Sequence, residues 1–409
     1  MDVRRRARIR RGDETMDGLS AGYDRLAAES GGGGNRLDFA TRTAPYPGSH
    51  PAAERSARFA RTLDELHDLR SEWDSISASW PSPMKSHDWA RTCVHLFGAD
   101  HELTIVVAGK GPGLAIAPLV RTRRDGTRLE FIGAHELPEP MDFLYSDGSD
   151  PTELATALVR LRLPMRFLRV PVESPLLPAL QVAYWWRGIV VSRPSRGSPW
   201  IPLDPSWSDP EKHLNRARRS NLRRSRRIAE ELGAVTVEIL SPAASELDRL
   251  LADAYAVEAG GWKGREGSAL LHNAREGEFY RRYAAAACAR GVLRICFLRI
   301  GGRAAAMQLA VETGNRFWLL KIGYADEFAR CSPGTLLLTE SIRYAARSGL
   351  RAFEFLGDDE SWTRSWTSHF HPCVSFWSYP AGIRGGVALA RDAAAALRNR
   401  LGARAWRAD

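Results

Sequence analysis

A chain of 409 residues is longer than one hydrophobic core supports, so two or three domains are expected, each with its own apolar interior. With 44% hydrophobic and 26% charged residues it is globular in composition; no uninterrupted apolar run reaches the ~20 residues of a membrane span, and none follows the basic N-terminus as a secretory signal would. A cytoplasmic location without a membrane span is the expectation, and a net charge of +10 raises the question of an acidic partner.

Five cysteines (Cys93, Cys288, Cys296, Cys331, Cys373) stand far apart with no CxxC pair, which suits reduced thiols and indicates neither a disulfide framework nor a zinc site. The ten histidines form no HExxH-type ligand cluster, so no metal is expected. Much of the positive charge lies in two runs, RRRARIRR (residues 4–11) and RARRSNLRRSRR (residues 216–227). The first run, followed by SGGGGN, holds too little apolar surface to offset the entropy of ordering; residues 1–54 read as a disordered tail, with Met16 an alternative start.

From Arg55 the pattern turns globular. RTLDELHDLRSEWDSI has helical spacing through Leu63, Leu66, Leu69, Trp73 and Ile76. HELTIVVAG and GLAIAPLVRTR predict a hairpin around residues 110–112, TRLEFIGA a strand and PTELATALVRL a helix. MRFLRVPV, QVAYWWRGIVVSR and PWIPL predict further strands with proline-marked breaks, and this α/β unit ends near Leu203. The next unit opens with SDPEKHLNRARRSNLRRSRRIAEELG, a helix with Asp209 as N-cap, Pro210 in the first position and Gly233 as a left-handed stop. Its apolar stripe is thin and the rest is arginine, which suits a solvated or domain-bridging helix, contact with an anionic substrate or cofactor phosphate, or RNA.

AVTVEIL then predicts a strand, SPAASELDRLLADAYAVEA a helix capped by Ser241, GGWKGREGSALLHN a loop and AREGEFYRRYAAAACARG a helix ending at Gly291. A meander of three strands follows (VLRICFLRI, RAAAMQLAVE, RFWLLKIGY), turning at Gly301-Gly302 and at residues 313–315. After it come a polar loop, a helix entered through Ser-Pro-Gly-Thr, the strand RAFEFLG, the loop DDESWTRSWTSHFH, the strand CVSFWSYP and a C-terminal helix from about Gly386.

The crossover from the last meander strand to residues 351–356 should be right-handed, which sets the helix start at the carboxyl ends of the strands, where open α/β sheets bind ligands. Such a start carries unpaired N–H groups and the positive pole of the helix, and phosphate is its usual guest. Pro333 has no N–H, so the donors would be Gly334, Thr335 and Leu336, with the Ser332 hydroxyl and the Arg330 charge beside them. The plainer alternative is that Ser332 caps the helix, Pro333 begins it and the opening faces water.

Three features together resemble the GNAT acyltransferase superfamily: GWKG (residues 261–264), the run FLRIGGRAAAMQLAVETGNRFWLLKIGYADEFARCSPGTLLLTESIRYAARSGLRAFEFLGDDE (residues 297–360) and the arginine-rich opening helix. The likeness is to its double-domain branch, similar to cellulose-biosynthesis-associated acetyltransferases and related to Fem-type peptidyltransferases. It covers residues 210–380 well and the first unit more weakly, through WPSPMKSHDWARTCVHLFG, APLV and LEFIGA. The resemblance implies an α/β fold with α+β mixed sheets: tandem GNAT-like domains at 55–204 and 205–382, each a mainly antiparallel sheet flanked by helices, then a helix at 383–409. A splayed strand pair is implied in the second domain. It also implies acetyl-CoA or another acyl-CoA as co-substrate, with the pyrophosphate on residues 332–335 and the thioester carbonyl against the strand Arg316–Tyr324. The family's loop reads Arg/Gln-x-x-Gly-x-Gly/Ala; here Arg330-Cys-Ser-Pro-Gly-Thr has one glycine and a proline, so fewer amides face the phosphates.

Acyl transfer to an amine needs a base, donors for the developing oxyanion and an acid for the thiolate. In RAFEFLG, Glu354 alternates with Phe353 and Phe355, so it is the first candidate base in the cleft. Asp358, Asp359 and Glu360 crowd one loop, where neighbouring carboxylates raise one another's pKa; Asp359 is the second candidate base and the others candidate substrate contacts, against the alternative of an acidic solvated loop. Similar proteins often carry Tyr-Lys after this group, and this chain has Trp362-Thr363. Lys263 and Tyr324 are further catalytic candidates, Tyr324 as proton donor to the thiolate, while Trp262 and Trp362 offer faces for a sugar or adenine; in the plain alternative they pack and Lys263 reaches solvent. Cys331 has no histidine base in the motif, so direct attack is expected without a covalent intermediate. The acceptor is expected to be an amine or hydroxyl of a sugar, polysaccharide precursor or related metabolite. Two other readings stay open, a Fem-like transferase using charged tRNA and a non-catalytic binding protein that retains the fold.

Overall fold

The computed structural model describes residues 57–79, 81–122 and 127–405, so the tail expected over 1–54 lies outside the described residues. Ala53–Gly385 form one compact unit, counted apart from the chain after it. The first half begins with β1 (Arg58–Ala60), α1 (Leu63–Asp68), α2 (Arg70–Ser77) and α3 (His87–Phe97). Thr62 and Glu65 close a capping box at the start of α1, and the Ser86 hydroxyl accepts the Trp89 N–H at the start of α3. Next come β2 (His101–Leu103), β3 (Ile105–Ala108), β4 (Ala115–Ala117), β5 (Leu119–Thr122), β6 (Arg128–Phe131) and β7 (Leu144–Tyr145). The expected hairpin forms, β3 pairing with β4 and β2 with β5, but its arms divide at Thr104 and Pro118: β3 and β4 join β1 and β7 in a four-stranded sheet, while β2 and β5 belong to the large one.

The half closes with α4 (Pro151–Arg160), β8 (Met165–Pro171), α5 (Leu176–Ala183) and β9 (Gly188–Pro202). QVAYWWRGIVVSR, read as one strand, is instead the end of α5 and the start of β9. Leu176, Leu177, Leu180 and Ala183 are buried at helical spacing, and that outweighs the β-branched run that follows.

The second half contains α6 (Arg216–Leu232), β10 (Val235–Leu240), α7 (Ala244–Ala259), α8 (Trp262–Arg265), α9 (Ala274–Ala289) and β11 (Leu293–Ile300). It continues through β12 (Arg303–Thr313), β13 (Arg316–Tyr324), α10 (Pro333–Arg347), β14 (Ala352–Glu354), β15 (Phe370–Pro380) and α11 (Ile383–Ala405). Asp209 does not cap α6. Pro210–His213 form a separate 3-10 turn, Leu214 is extended, and Asn215 accepts the Arg218 N–H to start the helix. Gly233 does not take the left-handed helical conformation (φ 153, ψ 176); it is required because a Cβ there would stand 2.8 Å from the Gly301 Cα. α7 starts after Ala243 and not at Ser241, with Glu246 accepting the Ala243 N–H, and the expected GWKG loop holds the one-turn helix α8.

The large sheet has eleven strands in the order β10-β11-β12-β13-β14-β9-β15-β8-β6-β5-β2. Its pairs are antiparallel except β13–β14 and β6–β8. β15, late in the chain, lies between β9 and β8 of the first half, and β9 pairs with β14, so one sheet runs through both halves. Phe317, Phe353 and Phe355 pack with Leu336 and Leu337 of α10, and with Leu222 and Ala229 of α6. Trp318, Leu320 and Phe376 belong to the core that joins α7 and α9 to the first half. α7 comes so close to β13 that a Cβ on Gly323 would stand 2.7 Å from the Glu258 Cα.

Candidate active site

β13 and β14 run parallel for three rungs only, Arg316↔Ala352, Phe317↔Phe353 and Trp318↔Glu354. Beyond them Phe355 donates its N–H to Pro199 of β9, while β13 continues to Tyr324 paired with β12 alone. Its register slips between Leu309 and Ala310, which leaves Leu320 as a bulge and turns the strand further away. The Ala325 N–H bonds to the Ala305 carbonyl, so by alternation the main-chain groups of Tyr324 and Ile322 point away from β12, into the gap.

The tip of α10 stands at this gap. Ser332 (φ 48, ψ 56) joins the turn Asp326–Cys331 to the helix, and its side chain makes no cap. Its carbonyl takes the Thr335 N–H at 3.0 Å and the Leu336 N–H at 3.2 Å, and the Leu336 side chain is buried. Of the three amides expected to face a phosphate, only that of Gly334 lacks a partner among the described residues; Thr335 and Leu336 spend theirs closing the first turn. Arg330, Ser332 and Thr335 are exposed, and a Cβ on Gly334 would stand 3.8 Å from Tyr324 Cδ1, so the phenol ring flanks an open tip. α6 packs beside it, with Leu222 and Ala229 in one core with Phe328, Cys331 and Leu336. Arg226 bridges Glu211 and Glu340 at 3.2 and 3.6 Å, Arg218 donates to the Ser365 carbonyl at 2.8 Å, and Arg216, Arg223 and Arg224 are exposed. Cys331 is buried, which pushes its thiol pKa up, and its Sγ–H donates to the Phe328 carbonyl at 3.0 Å, an environment for an inert thiol.

Lys263 turns inward, its side chain 18% exposed. Its Nζ donates to Glu258 Oε1 at 2.9 Å and to the Ile322 carbonyl at 2.8 Å, and Glu258 also accepts the Leu270 N–H. Burial lowers the Lys263 pKa against the opposing pull of the Glu258 charge. The Asp326 N–H donates to Gly260 at 3.0 Å and Arg265 pairs with Asp326, so Lys263 is one of three ties between residues 260–265 and residues 322–326. Trp262 is half-buried, with the Lys263 Nζ 5.9 Å from its ring centroid.

The crowding expected of the acidic loop is replaced by separate pairings. Asp358 meets Arg196 and, at 3.5 Å, the buried Arg169, which also donates to the Pro138 and Gly357 carbonyls. Asp359 takes a two-pronged bond from Arg364 at 2.7 and 2.8 Å, and Glu360 accepts the Trp362 Nε1–H at 2.6 Å. The Trp362 ring stands edge-on to Phe355, 5.7 Å between centroids.

Glu354 is fully buried, so it cannot itself meet a substrate. It pairs with Arg316, and His371 Nε2 lies 3.1 Å from its Oε2 and 3.3 Å from its Oε1. The imidazole stacks on Trp200 at 4.8 Å and 14°, with the Arg316 guanidinium 5.8 Å from the same indole. Directly across the ladder from His371 is Ser198, whose buried hydroxyl has no partner among the described residues. A carboxylate at Nε2 fixes the N–H there and leaves Nδ1 to accept a proton, and the His371 side chain is 35% exposed. β13, β14, β9 and β15 each supply one side of this cluster. Sequence reading passed over Arg316, Trp200, Ser198 and His371; the available signal was His369-Phe370-His371, two imidazoles on one strand face.

Residues 216–364 match the family model of the acetyltransferase (GNAT) domain. Two solved structures superpose on most of the chain. The C-terminal domain of a lysylphosphatidylglycerol synthetase candidate from Agrobacterium fabrum does so at 12% identity and a TM-score of 0.50, covering 82% of this chain and 97% of its own. FemX does so at 12% identity and 0.51, covering 78% and 97%. At such identity the likeness is one of fold. No curated protein matches the sequence. The architecture is thus mixed α/β with a GNAT fold that carries the gap, the tip and Glu354. Among the described residues no helix is long and apolar enough to cross a membrane, and no three His, Cys, Asp or Glu side chains gather as a metal site would require.

Proposed function

We propose that the protein transfers an acetyl or other acyl group from acyl-CoA to an amine, or to a hydroxyl, of a sugar, polysaccharide precursor or related metabolite. The observation that carries this reading is the parting of β13 and β14 after three rungs, at the open tip of α10. The Gly334 N–H, the Ser332 and Thr335 hydroxyls and Arg330 would hold the diphosphate, with the exposed arginines of α6 close by. The main chain at Ile322 and Tyr324 would hold the thioester in line. His371 Nδ1 would accept the amine proton as the new N–C bond forms and the C–S bond breaks, while Glu354 steadies the imidazolium. The Tyr324 hydroxyl would return a proton to the departing sulfur. Asp358, Asp359 and Glu360, with Trp262 and Trp362, would shape the acceptor side. The buried Cys331 supports direct attack.

Calorimetry with acetyl-CoA tests this on the full chain. Micromolar binding that disappears in Gly334→Trp is expected, and no heat at millimolar ligand would remove the acyl-CoA reading. A second reading, transfer from a charged tRNA, is favoured by the single free amide together with exposed Arg216, Arg223 and Arg224. Its mark is binding of tRNA alone, lost steeply as salt rises.

A further inference from the structure

The turn between α5 and β9 carries an apolar group on the surface. Trp186 is 88% exposed, Trp185 69%, Val182 59% and Ile189 50%. Ile383, which follows the strand paired with the start of β9, is 87% exposed. Soluble surfaces carry single apolar side chains routinely, but two adjacent tryptophans with three aliphatic neighbours at one corner are not that pattern.

Main-chain hydrogen bonds tie the corner down. The Trp185 N–H donates to Val182 at 3.0 Å, the Arg187 N–H to Tyr184 at 2.7 Å and the Ala381 N–H to Arg187 at 2.7 Å. Tyr184 beneath is buried and accepts the Ser378 hydroxyl at 3.0 Å. Trp186 is held at φ 63, a backbone region costly for a bulky side chain, and its ring stands at 88° to that of Trp185 with 5.8 Å between centroids. A shallow cavity of about 350 Å³ opens between them, lined also by Gln181, Gly188 and Val190. The segments that meet at the corner carry Arg187, Arg193 and Arg384, and neither residues 176–195 nor residues 370–385 contain an aspartate or glutamate. Arg187, Arg193 and Arg384 are exposed.

We infer that this corner docks on an anionic lipid surface, with Trp185 and Trp186 entering the headgroup region and the arginines lying against lipid phosphates. Indole rings favour that boundary, and each nearby basic residue adds attraction that salt weakens. The site is independent of the acyl-transfer reading, since neither tip nor gap contributes to it.

Co-sedimentation of the full chain tests it, with phosphatidylcholine vesicles alone or with phosphatidylglycerol added. Expected is partition onto the mixed vesicles only, weakening with salt and falling about tenfold or more in Trp185→Ser/Trp186→Ser. Arg187→Glu/Arg384→Glu, which leaves the indoles in place, should weaken it as well and guards against a folding artefact in the first variant. Failure to partition at any phosphatidylglycerol content would overturn the inference, as would partition unchanged by both variants. So would self-association in the ultracentrifuge that the tryptophan variant abolishes, because the corner would then serve a second copy of the chain.

Discussion

The tip of α10 and the Glu354 cluster are built by opposite means. At the tip one amide, two hydroxyls and an arginine stay in water, and no charge is buried. At the cluster a fully buried carboxylate is held between a guanidinium and an imidazole on a tryptophan face. Exposed groups cost little to maintain, and each contributes little until an anion arrives. A buried ion must keep its partners, because losing one leaves the remaining charge uncompensated. The difference separates two jobs: an anion can be held by groups solvated beforehand, whereas proton transfer needs a base whose direction is set in advance. Changes at the cluster should therefore act on turnover and stability, and changes at the tip on affinity.

The largest effect is expected from His371→Ala. Turnover should fall by roughly 10²–10⁴-fold, the contribution typical of a positioned base, with KM little moved and partial recovery in added imidazole. A raised KM at unchanged turnover would instead make His371 a binding residue and erase the contrast. Glu354→Ala comes next. Breaking a buried pair costs ~3–5 kcal/mol, and since Arg316 and His371 are each about a third open to water, about 2–3 kcal/mol in urea unfolding is the expectation. Adding Arg316→Met to that variant should restore part of the loss by removing the orphaned cation; strictly additive losses would show that the pair carries no coupling.

The same two regions explain what could be read beforehand. The tip is seven consecutive residues, 330–336, whose proline, glycine and apolar run announce a helix start at an anion site, and the meander, crossover and strand around it follow from period and turn residues. Its donor count could not be read, because whether Thr335 and Leu336 spend their amides on Ser332 depends on the left-handed backbone at that serine. The cluster draws on Trp200, Arg316, Glu354 and His371, and only the sheet order, with β15 inserted beside β9, brings them together. Period-2 alternation assigned Glu354 a face correctly, but it says nothing about which residues two strands away share that face. The acidic loop misled for a related reason: its arginine partners come from Arg169, Arg196 and Arg364, two of them in the first half.

Lys263 offers a further test beside the gap, where a largely buried amine meets a buried carboxylate. Its folded pKa lies below the ordinary lysine value because of burial, so the unfolded chain keeps a proton that the folded chain releases first. Unfolding then takes up protons, and stability should rise with pH below 10.5, by at most about 1.4 kcal/mol per pH unit for one group. The buried Cys93, Cys296, Cys331 and Cys373 act with the opposite sign, because burial raises their thiol pKa values while unfolded thiols ionise from about pH 8.5, and the buried Tyr280 and Tyr283 follow near pH 10, so the lysine is read as the difference between parent and variant. Urea midpoints below about pH 10 should fall more steeply with rising pH in Lys263→Met than in the parent. A slope unchanged by that substitution would assign the effect elsewhere.

The smallest effect is expected at the tip, from Gly334→Ala. The residue is not in the left-handed region, and its new Cβ would meet only Tyr324 Cδ1 at 3.8 Å, an ordinary contact. With no strain to offset it, reduced freedom in the unfolded chain should add about 0.5–1 kcal/mol to stability. The amide survives the change, so if one N–H is what the tip offers a phosphate, acetyl-CoA affinity should shift by less than about threefold, well short of losing a bond to a charged group. Should alanine weaken binding as severely as tryptophan, the bare Cα would be what the anion needs, and the tip would act by close approach of main chain to ligand. That result would leave the cluster untouched while replacing hydrogen bonding with shape at the tip.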